Sequence, residues 1–156
     1  MFNFFKKKDN FLYNPIKGEI ISLEMVGDGV FSNKLLGDGF ATIPVEGDVF
    51  SPVYGKITSI FPTKHAIGLL CQDGKTEILL HMGLDTVELN GEGFKILVKT
   101  NDIVTPKTLI AKMDISKISQ KEKKTTVMTV VTTQGQTIEN LEYGNQEVQK
   151  KIANIF

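Results

Sequence analysis

From Tyr13 to Val131 the chain is a succession of short β-branched runs, broken roughly every eight to twelve residues by Gly, Pro, Asp or Asn. Runs that short suit strands on a pleated surface better than amphipathic helices. Residues 16–23, 37–44, 55–61, 67–71, 76–81, 94–98, 108–113 and 127–131 are the expected strands. The fourth and fifth flank Gln72-Asp73-Gly74-Lys75, which reads as a hairpin with Asp-Gly at its turn. The pattern predicts an all-β fold, a sandwich of small antiparallel sheets. One short helix is expected over 115–124, with Ile115 and Ile118 on one face. Residues 147–156 fit a frayed helix or a closing strand.

A weak internal repeat adds to this. Tyr13-Asn14-Pro15-Ile16-Lys17-Gly18-Glu19-Ile20 matches Phe50-Ser51-Pro52-Val53-Tyr54-Gly55-Lys56-Ile57 at the aromatic, Pro, β-branched, Gly and Ile positions. Proline opening a strand and glycine at a close backbone approach give the shared pattern a physical basis. Two related half-motifs packed face to face would form a pseudo-symmetric β-sandwich.

A length of 156 residues suits one domain with a real core, expected over 11–156 behind a flexible N-terminal segment, 1–10. Eighteen basic residues balance eighteen acidic ones, so no excess positive charge is available for nucleic acid. Every basic residue is lysine, which removes the bidentate guanidinium clamp from any phosphate chemistry. Cys71 is the only cysteine, which excludes an internal disulfide and favours a cytoplasmic address. No apolar run approaches the roughly twenty residues that span a bilayer. Phe2, Phe4 and Phe5 beside Lys6, Lys7 and Lys8 suit weak contact of residues 1–8 with an anionic membrane surface.

His65 and His81 are the only histidines. His65 precedes one arm of the hairpin and His81 ends the other, so antiparallel pairing brings them to one sheet edge. Imidazole titrates near neutral pH and serves as nucleophile, proton carrier or metal ligand. Thr63 stands two residues before His65, on the same side of an extended backbone, where its hydroxyl would orient that ring. Gly83 permits a sharp departure from the strand that would return Asp85 to the site. Asp28, within Gly27-Asp28-Gly29-Val30-Phe31, is a second rim acid.

Gly18-Glu19-Ile20, Gly37-Asp38-Gly39, Thr63-Lys64-His65-Ala66 and the run His81-Met82-Gly83-Leu84-Asp85-Thr86-Val87-Glu88-Leu89-Asn90-Gly91-Glu92-Gly93-Phe94 resemble the glucose-type IIA component of the bacterial sugar phosphotransferase system. The resemblance covers roughly residues 11 to 133. It implies a β-sandwich of duplicated hybrid motifs with short helical turns. It implies that His81 accepts a phosphoryl group on Nε2 from phospho-HPr and passes it to a cysteine of the IIB domain of a sugar permease. By the same resemblance His65 stabilises the phosphoryl oxygens, Thr63 orients His65, and the Gly83 carbonyl holds the other nitrogen of His81. Asp28 and Asp85 match acidic rim positions, and Phe31, Leu36, Phe61 and Val87 an apolar docking surface. No cofactor is implied beyond the covalent phosphohistidine, and IIB and IIC are expected on another polypeptide. Regulated transporters or kinases are further partners such a surface would admit. The sixteen-residue histidine spacing is one longer than the family suggests, which an extra residue in the 72–75 turn would absorb.

Two other functions compete with this one. His65, His81 and Asp85 would supply three ligands of a zinc hydrolase, although no His-Glu-x-x-His or His-x-His spacing is present; with a partner's carboxylate the histidines alone would trap zinc at an interface. A swinging-arm carrier would use a lysine at a hairpin tip, and Lys75 lies near one, but Gly74 precedes it and the histidines go unexplained.

Overall fold

The computed structural model describes residues 10–156. The expected contact of residues 1–8 with a membrane surface lies outside the described residues. Among those described, no helix is long and apolar enough to cross a membrane.

One large sheet dominates. It contains β2 (Gly18–Ser22), β3 (Asp38–Pro44), β5 (Gly55–Ile60), β6 (Ala66–Cys71), β7 (Glu77–Leu84), β9 (Ile103–Val104), β11 (Lys124–Val131) and β13 (Gly144–Gln146). Its order is β13-β2-β3-β11-β7-β6-β5-β9, with every described pairing antiparallel. Two three-stranded sheets complete the fold: β1 (Asn10–Tyr13), β14 (Lys151–Ile155) and β12 (Ile138–Glu139) form one, and β4 (Asp48–Phe50), β10 (Leu109–Met113) and β8 (Phe94–Ile96) the other. The antiparallel β-sandwich is as expected, but its principal sheet is eight strands wide rather than small. Two- and three-residue strands such as β9 and β13 close that sheet's edges, and they are too short to show a period of two.

The repeat is physical. Tyr13 ends β1 as Phe50 ends β4, and Gly18 opens β2 as Gly55 opens β5. The two copies clasp each other: Tyr13 N–H donates to the Pro52 carbonyl at 2.8 Å, and Phe50 N–H to the Pro15 carbonyl at 2.7 Å. Gly18 and Gly55 sit in matching crowding, where a Cβ would lie 2.0 Å from the carbonyl oxygen of Ile43 or Leu70 respectively. Sheet order carries the same symmetry, since β13-β2-β3-β11 mirrors β9-β5-β6-β7 about the seam between β11 and β7.

Alternation separates two apolar clusters. Ile78, Leu80 and Met82 of β7 join Phe40, Val127, Val131 and Ile57 in the main core, together with Val49, Ile110 and Ile152 from the small sheets. On the opposite face of the large sheet, Ile21, Leu23, Phe31, Ala41, Met128 and Val130 form a second cluster, with Leu79 and Leu84 packed against it.

The helix, α1, spans Ile115–Gln120 and ends short of Lys124, because Glu122 turns left-handed (φ 63°) and Lys124 already belongs to β11. The Asp114 carboxylate accepts the Lys117 N–H at 3.0 Å and caps its start, an interaction worth about 1 kcal/mol. Strand 16–23 stops at Ser22, where a 3-10 turn, Leu23–Val26, begins. The open question over 147–156 resolves as a strand, since β14 pairs with both β1 and β12. Asn10, assigned from sequence to the N-terminal segment, opens β1 opposite Ile155.

Candidate active site

The β6–β7 hairpin is in unbroken register from Ala66 opposite His81 to Leu70 opposite Glu77. The sixteen-residue spacing therefore disturbs neither arm between Ala66 and His81. The hairpin's turn is built on Asp73, whose carboxylate accepts the N–H groups of Lys75 and Thr76 at 2.9 Å each, and the Thr76 hydroxyl at 2.6 Å. Partial burial alone would raise the Asp73 carboxyl, but these donors and the Asn10 amide outweigh it and bring the pKa to about 2.

Ala66, not His65, lies across from His81, so strict alternation would send the two imidazoles to opposite faces. They meet because the chain turns just before the strand. Lys64 adopts a left-handed conformation (φ 63°), Lys64 N–H donates to the Phe61 carbonyl at 2.7 Å, and His65 re-enters the ladder through Met82 N–H on its carbonyl at 2.7 Å. The ring centroids are 4.9 Å apart with planes at 80°. The same turn brings the Thr63 hydroxyl to 2.8 Å from His65 Nδ1. The Thr63–His65 contact is thus as expected, but a turn produces it rather than the extended backbone assumed from sequence.

His81 Nδ1 lies 2.8 Å from the Gly83 carbonyl. A carbonyl only accepts, so Nδ1 carries the proton and Nε2 keeps a free lone pair. Gly83 turns its carbonyl out of the ladder through a positive φ of 85°, beside a bulge where β11 shifts register between Lys124 and Val127. A side chain there would also clash, with Thr86 Cγ2 at 2.4 Å and the Lys124 carbonyl oxygen at 2.8 Å from an added Cβ.

Burial first, and then the neighbouring His65, push the His81 pKa down to about 4; the Gly83 carbonyl, Asp28 and Asp85 oppose this without prevailing. Burial also lowers His65, which is only 5% exposed. Both rings are neutral at neutral pH.

These residues match the family described as "phosphoenolpyruvate-dependent sugar phosphotransferase system, EIIA 1" over residues 10–137. The chain belongs to that EIIA family. It is 43% identical, over 75% of its own length and 70% of the relative's, to a glucose-specific EIIA component of the phosphotransferase system from Staphylococcus aureus (strain MSSA476). It is 44% identical over 90% of its length to the glucose-specific EIICBA component from Staphylococcus carnosus (strain TM300), of which it spans 21%. The chain therefore spans about a fifth of such EIICBA relatives. Among solved structures it resembles the glucose permease IIA from Mycoplasma capricolum, with a TM-score of 0.87, 36% identity and 99% coverage of both chains.

Around the EIIA histidine pair the expected docking residues divide. Leu36, Phe61 and Val87 are exposed, and Phe61 packs edge-on to His65 with centroids 5.5 Å apart. Phe31 differs from them: it is only 6% exposed, packs into the second apolar cluster, and its ring forms a wall 5.0 Å from that of His81. Met25, Val30 and Leu35 are exposed on the same loop region, 25–36, and were missed. Their only sequence signal was apolar residues set among Gly, Asp and Asn, where loops are ordinarily polar.

Asp28 accepts Phe31 N–H at 3.1 Å and Ser32 N–H at 2.9 Å, so its carboxylate organises the turn that seats Phe31. Burial would raise its pKa, but the backbone donors outweigh that and hold it below the ordinary carboxylate value. Asp85 is exposed and left-handed at φ 59°, close enough to bias His81 electrostatically, with no hydrogen bond to either histidine.

The zinc alternative lacks its ligand set, because no group of three or more His, Cys, Asp and Glu residues among the described residues is placed to hold a metal. Cys71 offers no thiolate either. Burial, and secondarily Asp73, push its thiol up to about 12.

Proposed function

We propose that this EIIA chain carries phosphoryl groups on His81 Nε2, taking them from phospho-HPr and giving them to a cysteine of a sugar permease's IIB domain. The observation that carries the reading is the contact of His81 Nδ1 with the Gly83 carbonyl, which frees Nε2 beside a second, neutral imidazole. The Nε2 lone pair forms a bond to phosphorus as the donor's bond to phosphorus breaks, and the donor atom keeps that bond's electron pair. The Nδ1 proton stays in place, where the Gly83 carbonyl stabilises positive charge developing on the ring. In the second transfer a thiolate of the acceptor forms the S–P bond, and the N–P electrons return to Nε2.

His65 is assigned the phosphoryl oxygens. If the Thr63 hydroxyl donates to Nδ1, His65 presents Nε2–H to an anion. Phosphoryl transfer demands chiefly positioning and charge stabilisation, so an arginine-free chain suffices when the partner adds cations. Asp28 and Asp85 on the rim favour a basic partner, and exposed Leu36, Phe61 and Val87 offer it an apolar seat. On this reading no metal takes part.

Intact-protein mass after incubation with phosphoenolpyruvate, Enzyme I and HPr tests it. Wild type and His65→Gln should each gain one acid-labile phosphoryl group, and His81→Gln none. Wild type that gains no mass beside active partners, or phosphorylated His81→Gln, would overturn the assignment.

A further inference from the structure

Thr86 follows the bend beyond His81, and the hydrogen bonds of the two rings go to Thr63 and Gly83 rather than to it. Its side chain is fully buried, and its hydroxyl donates to the Met82 carbonyl at 2.6 Å, spanning the reversal that contains Gly83, Leu84 and Asp85. Both bends of that reversal, Gly83 and Asp85, are left-handed. The Thr86 methyl closes over Gly83, since Cγ2 stands 2.4 Å from where a Cβ on that glycine would be. Met82 also donates its N–H to the His65 carbonyl at 2.7 Å. One hydroxyl thus braces the single residue that links the backbone of His65 to the carbonyl facing His81.

A buried threonine hydroxyl has one proton to give, and a buried carbonyl that loses its donor has no water to replace it. Without the Thr86 bond, Met82 would recover a partner only if the reversal rotated. Gly83, having no Cβ, is the residue least able to resist rotation. Its carbonyl would then leave His81 Nδ1, and the ring would lose the contact that fixes its tautomer.

We infer that Thr86 is a positioning residue for phosphoryl transfer, bracing the 82–86 reversal so that the Gly83 carbonyl holds His81 in the Nδ1–H tautomer. The kinetic consequence rests on the phosphocarrier reading, whereas the tautomer is a property of the free protein.

The test is the ring 15N spectrum of His81 at about pH 7.5, together with the rate of phosphorylation by phospho-HPr. Thr86→Val should populate Nε2–H and slow phosphorylation about tenfold, the scale of losing a supporting hydrogen bond behind a reacting ligand. Thr86→Ser, which keeps the hydroxyl, should restore the Nδ1–H spectrum and the rate. Thr86→Ala gives the same readings should the valine variant fail to fold. A hydroxyl-free variant that keeps a pure Nδ1–H ring and the wild-type rate overturns the inference. So does a folded Thr86→Ser as impaired as Thr86→Val, which would place the effect in methyl packing. A wild type with the predicted spectrum that takes no phosphoryl group would sink the carrier reading and leave the tautomer assignment standing.

Discussion

His81 should make this protein lose stability in mild acid, well before most carboxylates titrate. Its ordinary pKa of 6.5 falls to about 4 in the fold. Between those values the unfolded chain binds a proton that the folded chain refuses. Stability is therefore fully present above pH 6.5 and declines as pH falls toward 4. Carried from about pH 7.5 to about pH 5, the linkage amounts to a loss on the order of 2 kcal/mol, out of roughly 3 kcal/mol for the whole shift. Asp73, whose window runs from 3.8 down to about 2, contributes only below that range. His65, lowered by burial, adds to the slope with the same sign, so the informative comparison is with His81→Gln. Urea unfolding at the two pH values should show wild type losing about 2 kcal/mol more than His81→Gln. An NMR titration should place the His81 ring near pH 4, and His65→Gln should raise it by removing the electrostatic effect of His65. A His81 that titrates near its ordinary value, with equal acid slopes for wild type and His81→Gln, would refute the burial argument.

Gly83→Ala forces a Cβ into a left-handed residue already crowded by Thr86 and the Lys124 carbonyl. A cost of about 2–4 kcal/mol is expected, read as a fall in melting temperature, and a variant as stable as wild type would contradict that crowding. Gly18→Ala and Gly55→Ala should each destabilise by about 3 kcal/mol or more, and by similar amounts, because both drive a Cβ to 2.0 Å from a neighbouring strand's carbonyl oxygen. Thermal melts of the pair test the repeat; if one is tolerated and the other is not, the two half-motifs are not physically equivalent.

Much of the fold was legible because its local signals agree. The hairpin at Asp73-Gly74 needed only a turn between two β-branched arms, and the repeat at Pro15 and Pro52 marked two equivalent strand junctions. Sheet width was not legible. β9 and β13 are held by the neighbours they pair with, and a strand such as Ile103–Val104 has no pattern of its own. The fate of 147–156 likewise depends on β1, far away in sequence, offering an edge to β14. In the site, histidines could be found by their scarcity, but Phe31 could not be assigned to an inner wall. Its burial requires Met128 and Val130 of β11 and the Asp28 turn to converge on it. Thr86 was hidden for the opposite reason: a threonine within a long matching run gives no sign that its hydroxyl braces a carbonyl four residues back.

The two imidazoles are chemically identical in the unfolded chain and differ in the fold by one oxygen each. His81 Nδ1 faces a carbonyl, which cannot donate, so its tautomer is locked and its Nε2 is a base. His65 Nδ1 faces a hydroxyl, which donates or accepts, so its Nε2 can carry a proton toward an anion. Locking suits a group that must attack phosphorus, and adaptability suits one that must receive charge as it arrives. Exchanging the two environments would leave two neutral rings 4.9 Å apart but reverse which one is the nucleophile. On the proposed reading, the division of labour therefore resides in Gly83 and Thr63 rather than in the histidines themselves. It is decided by backbone turns at Lys64 and Gly83, both of positive φ, that a regular β-hairpin would not contain.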